Sequence, residues 1–123
     1  MAPTLLPGQF LIATRPRHLH RGDVVVVRLP RRGIEAVKRV VGMPGERVRV
    51  VTGRAQVNGR SLNEPHATGT GLSGEWSLGE GEYLVLGDDR SGSTDGRTFG
   101  PVPGEAIVGV VRFRYWPRAG RVR

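Results

Sequence analysis

Glycine and proline divide this sequence into short segments, and this division is the feature that most limits its possible folds. The chain of 123 residues contains 19 Gly and 9 Pro, which recur between short apolar runs. Turn residues at such close intervals leave little room for long helices and favour short strands joined by tight turns. The sequence therefore predicts an all-β protein with coiled antiparallel sheets or a partly open barrel.

Six segments between these turns have the composition of strands. The segment at 23–29 contains four consecutive valines, which is typical of a strand that is buried on both faces. Asn58-Gly59 predicts a tight hairpin, and the Gly-, Ser- and Thr-rich residues 63–80 predict a long surface loop. The predicted strands are 9–14, 23–29, 34–42, 47–51, 82–86 and 106–115.

Composition excludes several classes of site. The chain has no cysteine, which excludes disulfides, zinc–thiolate centres and cysteine nucleophiles. Its three histidines, His18, His20 and His66, are joined by no acidic cluster, so we expect no metal and no cofactor. No apolar run is long enough to cross a bilayer, so the chain as printed is expected to be soluble or peripheral.

The net charge of +8 predicts attraction to anionic partners, such as an acidic lipid surface or a nucleic acid. Modules that bind single-stranded nucleic acid use exposed aromatic side chains for stacking, and only 6% of the residues are aromatic. We therefore expect an anionic membrane surface as a partner and no nucleic acid.

Lys38 is the residue that most clearly suggests chemistry. It is the single lysine among 19 Lys and Arg residues, and arginine, unlike lysine, cannot lose its proton in a protein. Alternation along the strand places Lys38 on the same face as Ala36 and Val40, where it is the only charge. Burial there would lower its pKa toward that of a general base. The alternative is a lysine that reaches solvent at the sheet edge.

A lysine base requires a nucleophile, and serine is the natural choice in a chain without cysteine. Four blocks of the sequence bear on this choice, namely MAPTLLPG, RGDVVVVRLP, VKRVVGMPGERV and YLVLGDDRSGSTDGRTFGPV. In this order they resemble the motifs of the type I signal peptidases, which are membrane-anchored Ser/Lys endopeptidases. A further segment, VNGRSLNEP, also matches these enzymes, and the likeness runs from Met1 to about Trp116.

The resemblance implies a role for individual residues. Lys38 matches the general base, and Ser93 matches the serine that orients it. Asp95 and Arg97 match a pair that holds the site loop in shape, and Asp88 is expected to support the same site.

The resemblance also implies how substrate is bound. Ala36 and Val37 match the strand that binds the substrate peptide by edge pairing, and shallow pockets near Met1 and Val37 fit the small residues at Ala-x-Ala cleavage sites. It implies an all-β catalytic domain at 1–117, followed by a basic and frayed tail at 118–123. The implied substrates are the signal peptides of preproteins, and the implied location of the full-length protein is the extracytoplasmic face of the cell membrane.

The sequence departs from the family pattern in three ways. Asp89 replaces the usual Asn, and Gly96 replaces the usual Ser. The nucleophilic serine would be the residue immediately before Met1, so we expect the chain as printed to lack peptidase activity. Two alternatives stay open. One is a peptide-binding module without chemistry. The other is a specialised maturation peptidase of the nickel superoxide dismutase type, since those enzymes often end in a stretch like RYWP.

Overall fold

The protein is an all-β structure of open antiparallel sheets, as the turn pattern predicts. A computed structural model describes residues 10–14, 18–29, 33, 35–92, 94–116 and 120–121. The strands within these ranges are β1 (Phe10–Thr14), β2 (Val24–Arg28), β3 (Glu35–Gly42), β4 (Arg47–Val51), β5 (Arg54–Val57), β6 (Arg60–Ser61), β7 (Gly74–Ser77), β8 (Glu82–Leu86), β9 (Val102–Pro103), β10 (Ile107–Trp116) and β11 (Gly120–Arg121).

The first sheet has the order β1-β10-β2-β3-β8-β9, and β11 pairs with β10. The valine run in β2 lies at the centre of this sheet between β10 and β3, which explains why both of its faces are apolar. Three of its four valines are buried and Val26 is half-buried. Pairing of β11 with β10 also shows that residues 120–121 of the basic tail are held in the sheet.

The second sheet has the order β6-β5-β4-β7. Its turn between β5 and β6 is the predicted Asn58-Gly59 hairpin, and both residues have positive φ, of 50° and 84°. The interpretation of residues 63–80 as one long loop is wrong for β7, which pairs antiparallel with β4. The sequence of β7 gives little local indication of a strand, because it has four residues, one of them glycine, and other glycines lie nearby. The strand is defined instead by its pairing with β4 and by the packing of Trp76 against the core.

The main core lies where the two sheets meet. Buried residues of β3 and β8 pack there against buried residues of β4 and β5; they are Val41, Leu84, Leu86, Val48, Val50, Ala55 and Val57. The turn from β3 to β4 brings the sheets very close at Gly42, where an added Cβ would lie 2.7 Å from side-chain atoms of both Val48 and Leu78. A second buried cluster belongs to the first sheet and includes Val25 of β2, Val40 of β3 and Val85 of β8.

Helices play a small part in this fold. The loop between β8 and β9 contains α1 (Gly96–Phe99), and a single 3₁₀ turn, Gly104–Ala106, precedes β10. In the part of the chain that the structure describes, no helix has the length and apolar character needed to cross a membrane.

Candidate active site

Lys38 lies in the first half of β3, opposite Val25 of β2. Its neighbours on this face, Val25 and Val40, belong to the buried cluster of the first sheet, and Lys38 itself is half-buried. Burial lowers the pKa of Lys38, since the charged ammonium loses solvation; the Asp95 carboxylate raises this pKa and the Arg97 guanidinium lowers it. The strand therefore holds the only lysine of the chain in surroundings that favour its neutral form.

Asp95 and Arg97 form one unit at the start of α1. Asp95 caps this helix, with its Oδ1 accepting a hydrogen bond of 3.0 Å from the backbone N–H of Arg97. The Arg97 side chain returns to the same carboxylate through Nε and Nη2, each at 3.0 Å from an oxygen. The Gly87 N–H donates to Asp95 Oδ2 at 2.9 Å. The fully buried Asp95 carboxylate is thus held by the Arg97 backbone N–H at the start of α1, by the Arg97 guanidinium and by the Gly87 N–H directly after β8.

Arg39 points to the opposite face of β3 and pairs with Asp88. Its Nε and Nη2 donate to the two carboxylate oxygens at 2.9 and 3.0 Å, and its Nη1 donates to the Gly22 carbonyl at 2.9 Å. The side chains are 5% and 0% exposed, so this is a buried and bidentate ion pair. It fastens the residue next to Lys38 to the loop that carries Asp95. Period-two alternation predicted the direction of Arg39 but not its partner, which is 49 residues away.

Arg90 was not among the predicted site residues, although it lies in the same block as Asp88. Its side chain is fully buried and donates to the Gly87 carbonyl, the Gly53 carbonyl and Glu64 Oε2, each at 2.7 Å. Glu64 also accepts from the Ala55 N–H at 2.7 Å. Arg90 therefore connects the site loop to the second sheet. The sequence offered one indication of this connection, since the motif VNGRSLNEP, which is part of the resemblance, contains Glu64.

The two departures from the family pattern have local explanations. Asp89 accepts hydrogen bonds at its Oδ1 from the Ser91 hydroxyl and the Gly92 N–H, at 3.1 and 3.2 Å, so it stabilises the turn with a single oxygen that Asn also possesses. Gly96 is buried, and a Cβ there would lie 2.7 Å from both Leu84 Cδ1 and the Val85 carbonyl oxygen. In this chain, Leu84 and the backbone of β8 occupy the space that a side chain at 96 would need.

The predicted substrate strand lies at an open edge. The pairing of β3 with β2 extends over Glu35–Arg39, whereas its pairing with β8 begins only at Arg39. Among the described strands, none pairs with the second edge of residues 35–38. Ala36 and Val37 are half-buried at this edge. Met1 and Ser93, the remaining predicted site residues, lie outside the described residues.

No metal cluster is found among the described residues, and the cleft described below lies away from the predicted site residues. The described ranges contain no group of three or more His, Cys, Asp or Glu that could hold a metal ion. A cleft of about 540 Å³ lies on the outer face of the second sheet, between Arg47, Arg49 and Glu75. It contains none of the predicted site residues.

Comparison with known proteins gives a consistent result over almost the whole chain. Signal peptidase IB of Staphylococcus aureus (strain Mu50) is 34% identical over an alignment that covers 95% of this chain and 73% of the relative. Signal peptidase I of Streptococcus pneumoniae (strain R6) is 28% identical, with coverage of 95% and 78%. The crystal structure of a signal peptidase I from Enterococcus faecalis V583 superposes with a TM-score of 0.68 at 29% identity, covering 76% of this chain and 97% of that one.

The family described as "Signal peptidase, peptidase S26" matches residues 1–116. This range contains every strand from β1 to β10, together with Lys38 and the loop from Gly87 to Arg97. The resemblance seen in the four sequence blocks is therefore confirmed, and the chain belongs to the signal peptidase S26 family of peptidases that cleave signal peptides.

Proposed function

We propose that Lys38 is the general base of this peptidase. The observation that carries the proposal is the position of the only lysine of the chain, half-buried on an apolar face beside the Asp95–Arg97 pair, where burial lowers its pKa. A lysine that is neutral near physiological pH can accept a proton, which none of the arginines can do. The alternative of a fully solvated lysine fits less well, because the face around Lys38 is apolar and packed.

We propose that the nucleophile is a serine immediately before Met1, the position implied by the resemblance. Lys38 takes the proton from its hydroxyl as the oxygen attacks the scissile carbonyl carbon. The same proton then goes to the leaving amine, which departs as the peptide bond breaks. Water hydrolyses the resulting acyl-enzyme by the same route, with Lys38 again accepting and returning the proton.

We propose that substrate binds as an added strand along residues 35–38. Val40 donates its N–H to the Asp23 carbonyl and accepts from the Gly22 N–H, both at 2.8 Å, so its backbone faces β2. Backbone groups of successive strand residues point to opposite edges, and those of Val37 therefore point to the open edge. An extended signal peptide that pairs with Val37 would lie directly beside Lys38.

The small residues of Ala-x-Ala sites suit this arrangement. Ala36 and Val37 are themselves small and half-buried, and we propose that shallow pockets beside them receive the small substrate residues. Signal peptides that end in small residues could approach the β3 backbone closely. Bulky residues would hold the peptide away from the edge and from Lys38.

We propose that this protein acts at the extracytoplasmic face of the cell membrane, the location implied by its resemblance to the type I signal peptidases. The net charge of +8 supports contact with acidic lipid headgroups. Cosedimentation with vesicles that contain anionic lipid tests this contact: we expect binding that weakens as salt increases. Equal binding to neutral and anionic vesicles would contradict it.

The experiment for the base is a cleavage assay on an Ala-x-Ala peptide, with a chain that carries a serine immediately before Met1. Lys38→Ala and Lys38→Arg should both reduce turnover to background, because neither residue can accept the proton. Arg49→Ala, an exposed change on the second sheet, is the matched control and should retain turnover. Unchanged turnover after Lys38→Ala would overturn the proposal, and tight peptide binding without cleavage in the serine-bearing chain would favour a binding module.

A further inference from the structure

Residues 67–73, which we name the strap, lie across the loop that carries Asp95 and Arg97. The Thr68 N–H donates to the Asp88 carbonyl at 2.9 Å, and the Arg90 N–H donates to the Thr68 carbonyl at 2.7 Å. Thr68 and Asp89 form an isolated parallel bridge. The strap is therefore attached to the site loop by backbone hydrogen bonds, and it begins directly after the segment that contains Glu64.

The strap also covers Arg97. Nη1 of Arg97 donates to the carbonyls of Thr70 and Leu72, at 3.1 and 3.3 Å. Thr70 and Leu72 are exposed, yet the Arg97 side chain beneath them is only 2% exposed. The guanidinium is thus held on one side by Asp95 and on the other by two carbonyls of the strap. Every polar edge of this cation has a fixed partner.

Gly71 allows this close contact. Its φ is +88°, and an added Cβ would lie 2.1 Å from the Arg90 carbonyl oxygen and 3.0 Å from Arg97 Nη1. Only glycine fits a position that combines left-handed backbone with this approach. The sequence TGTG at 68–71 thus has a specific use, whereas composition alone marked it as surface loop.

The second sheet holds the other side of the strap. Arg54 donates from Nη1 to the Gly69 carbonyl at 2.8 Å and from Nη2 to the Ala67 carbonyl at 3.2 Å. The Ser73 hydroxyl accepts from the Thr52 N–H at 3.2 Å. Neither Arg54 nor Ser73 is among the predicted site residues. They attach the strap to the turn between β4 and β5.

We propose that Arg54 and Ser73 are positioning residues for Lys38, acting through the strap, which holds Arg97 and hence the Asp95–Arg97 pair in place. The inference rests on the proposed role of Lys38 but is measured independently of it. The connection runs from the second sheet through the strap to Arg97, and from there to the carboxylate beside Lys38. The second sheet would then help to set the pKa of Lys38, which lies on the first sheet.

Loosening the strap has a predictable electrostatic effect. Nη1 of Arg97 would lose its strap carbonyls and become exposed to water, which would screen the repulsion of the Lys38 ammonium by this guanidinium. Asp95 would stay in place, because the Gly87 and Arg97 backbone N–H groups still hold its carboxylate. Water would also enter the uncovered loop and reduce the desolvation of Lys38. Both changes raise the pKa of Lys38, so the direction of the effect does not depend on which of the two is larger.

The test is an NMR titration of the present chain after labelling with lysine that carries ¹³C at Cε. Because Lys38 is the only lysine, one lysine signal reports its pKa. The double variant Arg54→Ala/Ser73→Ala removes the side-chain hydrogen bonds that attach the strap to the second sheet. Its matched control is Arg49→Ala/Ser77→Ala, which removes the same charge and hydroxyl from exposed positions in the same sheet.

We expect the pKa of Lys38 to rise by about half a unit or more in the strap variant relative to this control. Equal pKa values in two folded variants would overturn the proposal, even if the strap variant melts at a lower temperature, because a purely structural role would lower stability without moving the titration. If the double variant does not fold, the single variants Arg54→Ala and Ser73→Ala replace it, with Arg49→Ala and Ser77→Ala as their controls.

The outcome is separable from that of the cleavage assay. A pKa shift together with cleavage that does not need Lys38 would keep the positioning role and refute the base. Cleavage that needs Lys38 together with an unmoved pKa would keep the base and refute the strap.

Discussion

Arg97 binds Asp95 through two side-chain hydrogen bonds of 3.0 Å, so a buried carboxylate and its compensating cation lie together beside Lys38. The two charges act on Lys38 in opposite directions, and burial of the ammonium outweighs them. The pair therefore gives the loop a fixed shape without cancelling the effect of desolvation. This balance leads to the first prediction.

Arg97→Gln should raise the pKa of Lys38, because the attraction of Asp95 for the ammonium is then no longer opposed. The upward shift is measured by the same single-lysine ¹³C titration. Arg47→Gln, on the outer face of the second sheet, is the control and should leave the titration in place. A pKa that falls in Arg97→Gln would contradict this account of the electrostatics.

Asp88→Asn should strongly destabilise the fold, because it leaves the buried Arg39 guanidinium without its counter-charge. Removing one partner of a buried ion pair costs about 3 to 5 kcal/mol, which urea unfolding would measure. The exposed pair Arg28–Glu35 offers the comparison: Glu35→Gln should cost less than about 1 kcal/mol. Similar losses in the two variants would show that the Arg39–Asp88 pair is not effectively buried.

Gly96→Ser, which restores the residue usual in the family, should destabilise this chain by about 1 to 3 kcal/mol. The new Cβ would meet Leu84 Cδ1 and the Val85 carbonyl oxygen at 2.7 Å, and overpacking against backbone is hard to relieve. Gly104→Ser is the control, since its nearest contact is an ordinary 3.5 Å from Tyr83. A neutral or stabilising Gly96→Ser would mean that β8 and α1 separate easily.

His66 should make stability fall in mild acid. Its Nε2 is buried without a hydrogen-bond partner in the described structure, and burial, followed by the charge of Arg39, lowers its pKa from 6.5. Asp88 and Glu64 raise this pKa and Arg90 lowers it further, so the lowering influences prevail. The unfolded chain then binds the proton more readily than the folded one, and the stabilising contribution is lost as pH falls from about 6.5 through the folded pKa.

The measurement is the free energy of unfolding at pH 7.5 and at successively lower values, for wild type and for His66→Gln. The variant should show a smaller loss over this interval, because it no longer has a group that must be neutral in the fold. His20→Gln is the control, since His20 is 75% exposed. Parallel pH profiles for wild type and His66→Gln would refute the prediction.

The sequence was sufficient for most strands, because their signals are local. Alternation in β4, the valine run of β2 and the Asn58-Gly59 turn each act within a few residues. The sequence did not predict β7, because this strand depends on pairing with β4, about 27 residues earlier in the chain. The four residues of α1 were likewise hidden in a turn-rich loop, where the Asp95 cap defines the helix start.

The candidate site divides in a similar way. The motif blocks located Lys38, Asp88, Asp95 and Arg97, and their catalytic roles stay predictions. The partners of Arg39, Arg90 and Arg97 could not be read from the chain, because an arginine in a sequence does not reveal which carbonyl or carboxylate it will bind. The strap had no signal beyond its glycines.

The sequence by itself determined the all-β class, the family and the identity of the one lysine, since composition, short-range alternation and motif spacing are properties of the chain alone. Only the tertiary structure decided that Lys38 is half-buried beside a fixed ion pair, and that the second sheet reaches this site through Arg54, Arg90 and the strap. The physical reason is that desolvation and ion pairing depend on which distant segments pack together. These contacts join residues that are tens of positions apart, and they exist only after both sheets have formed.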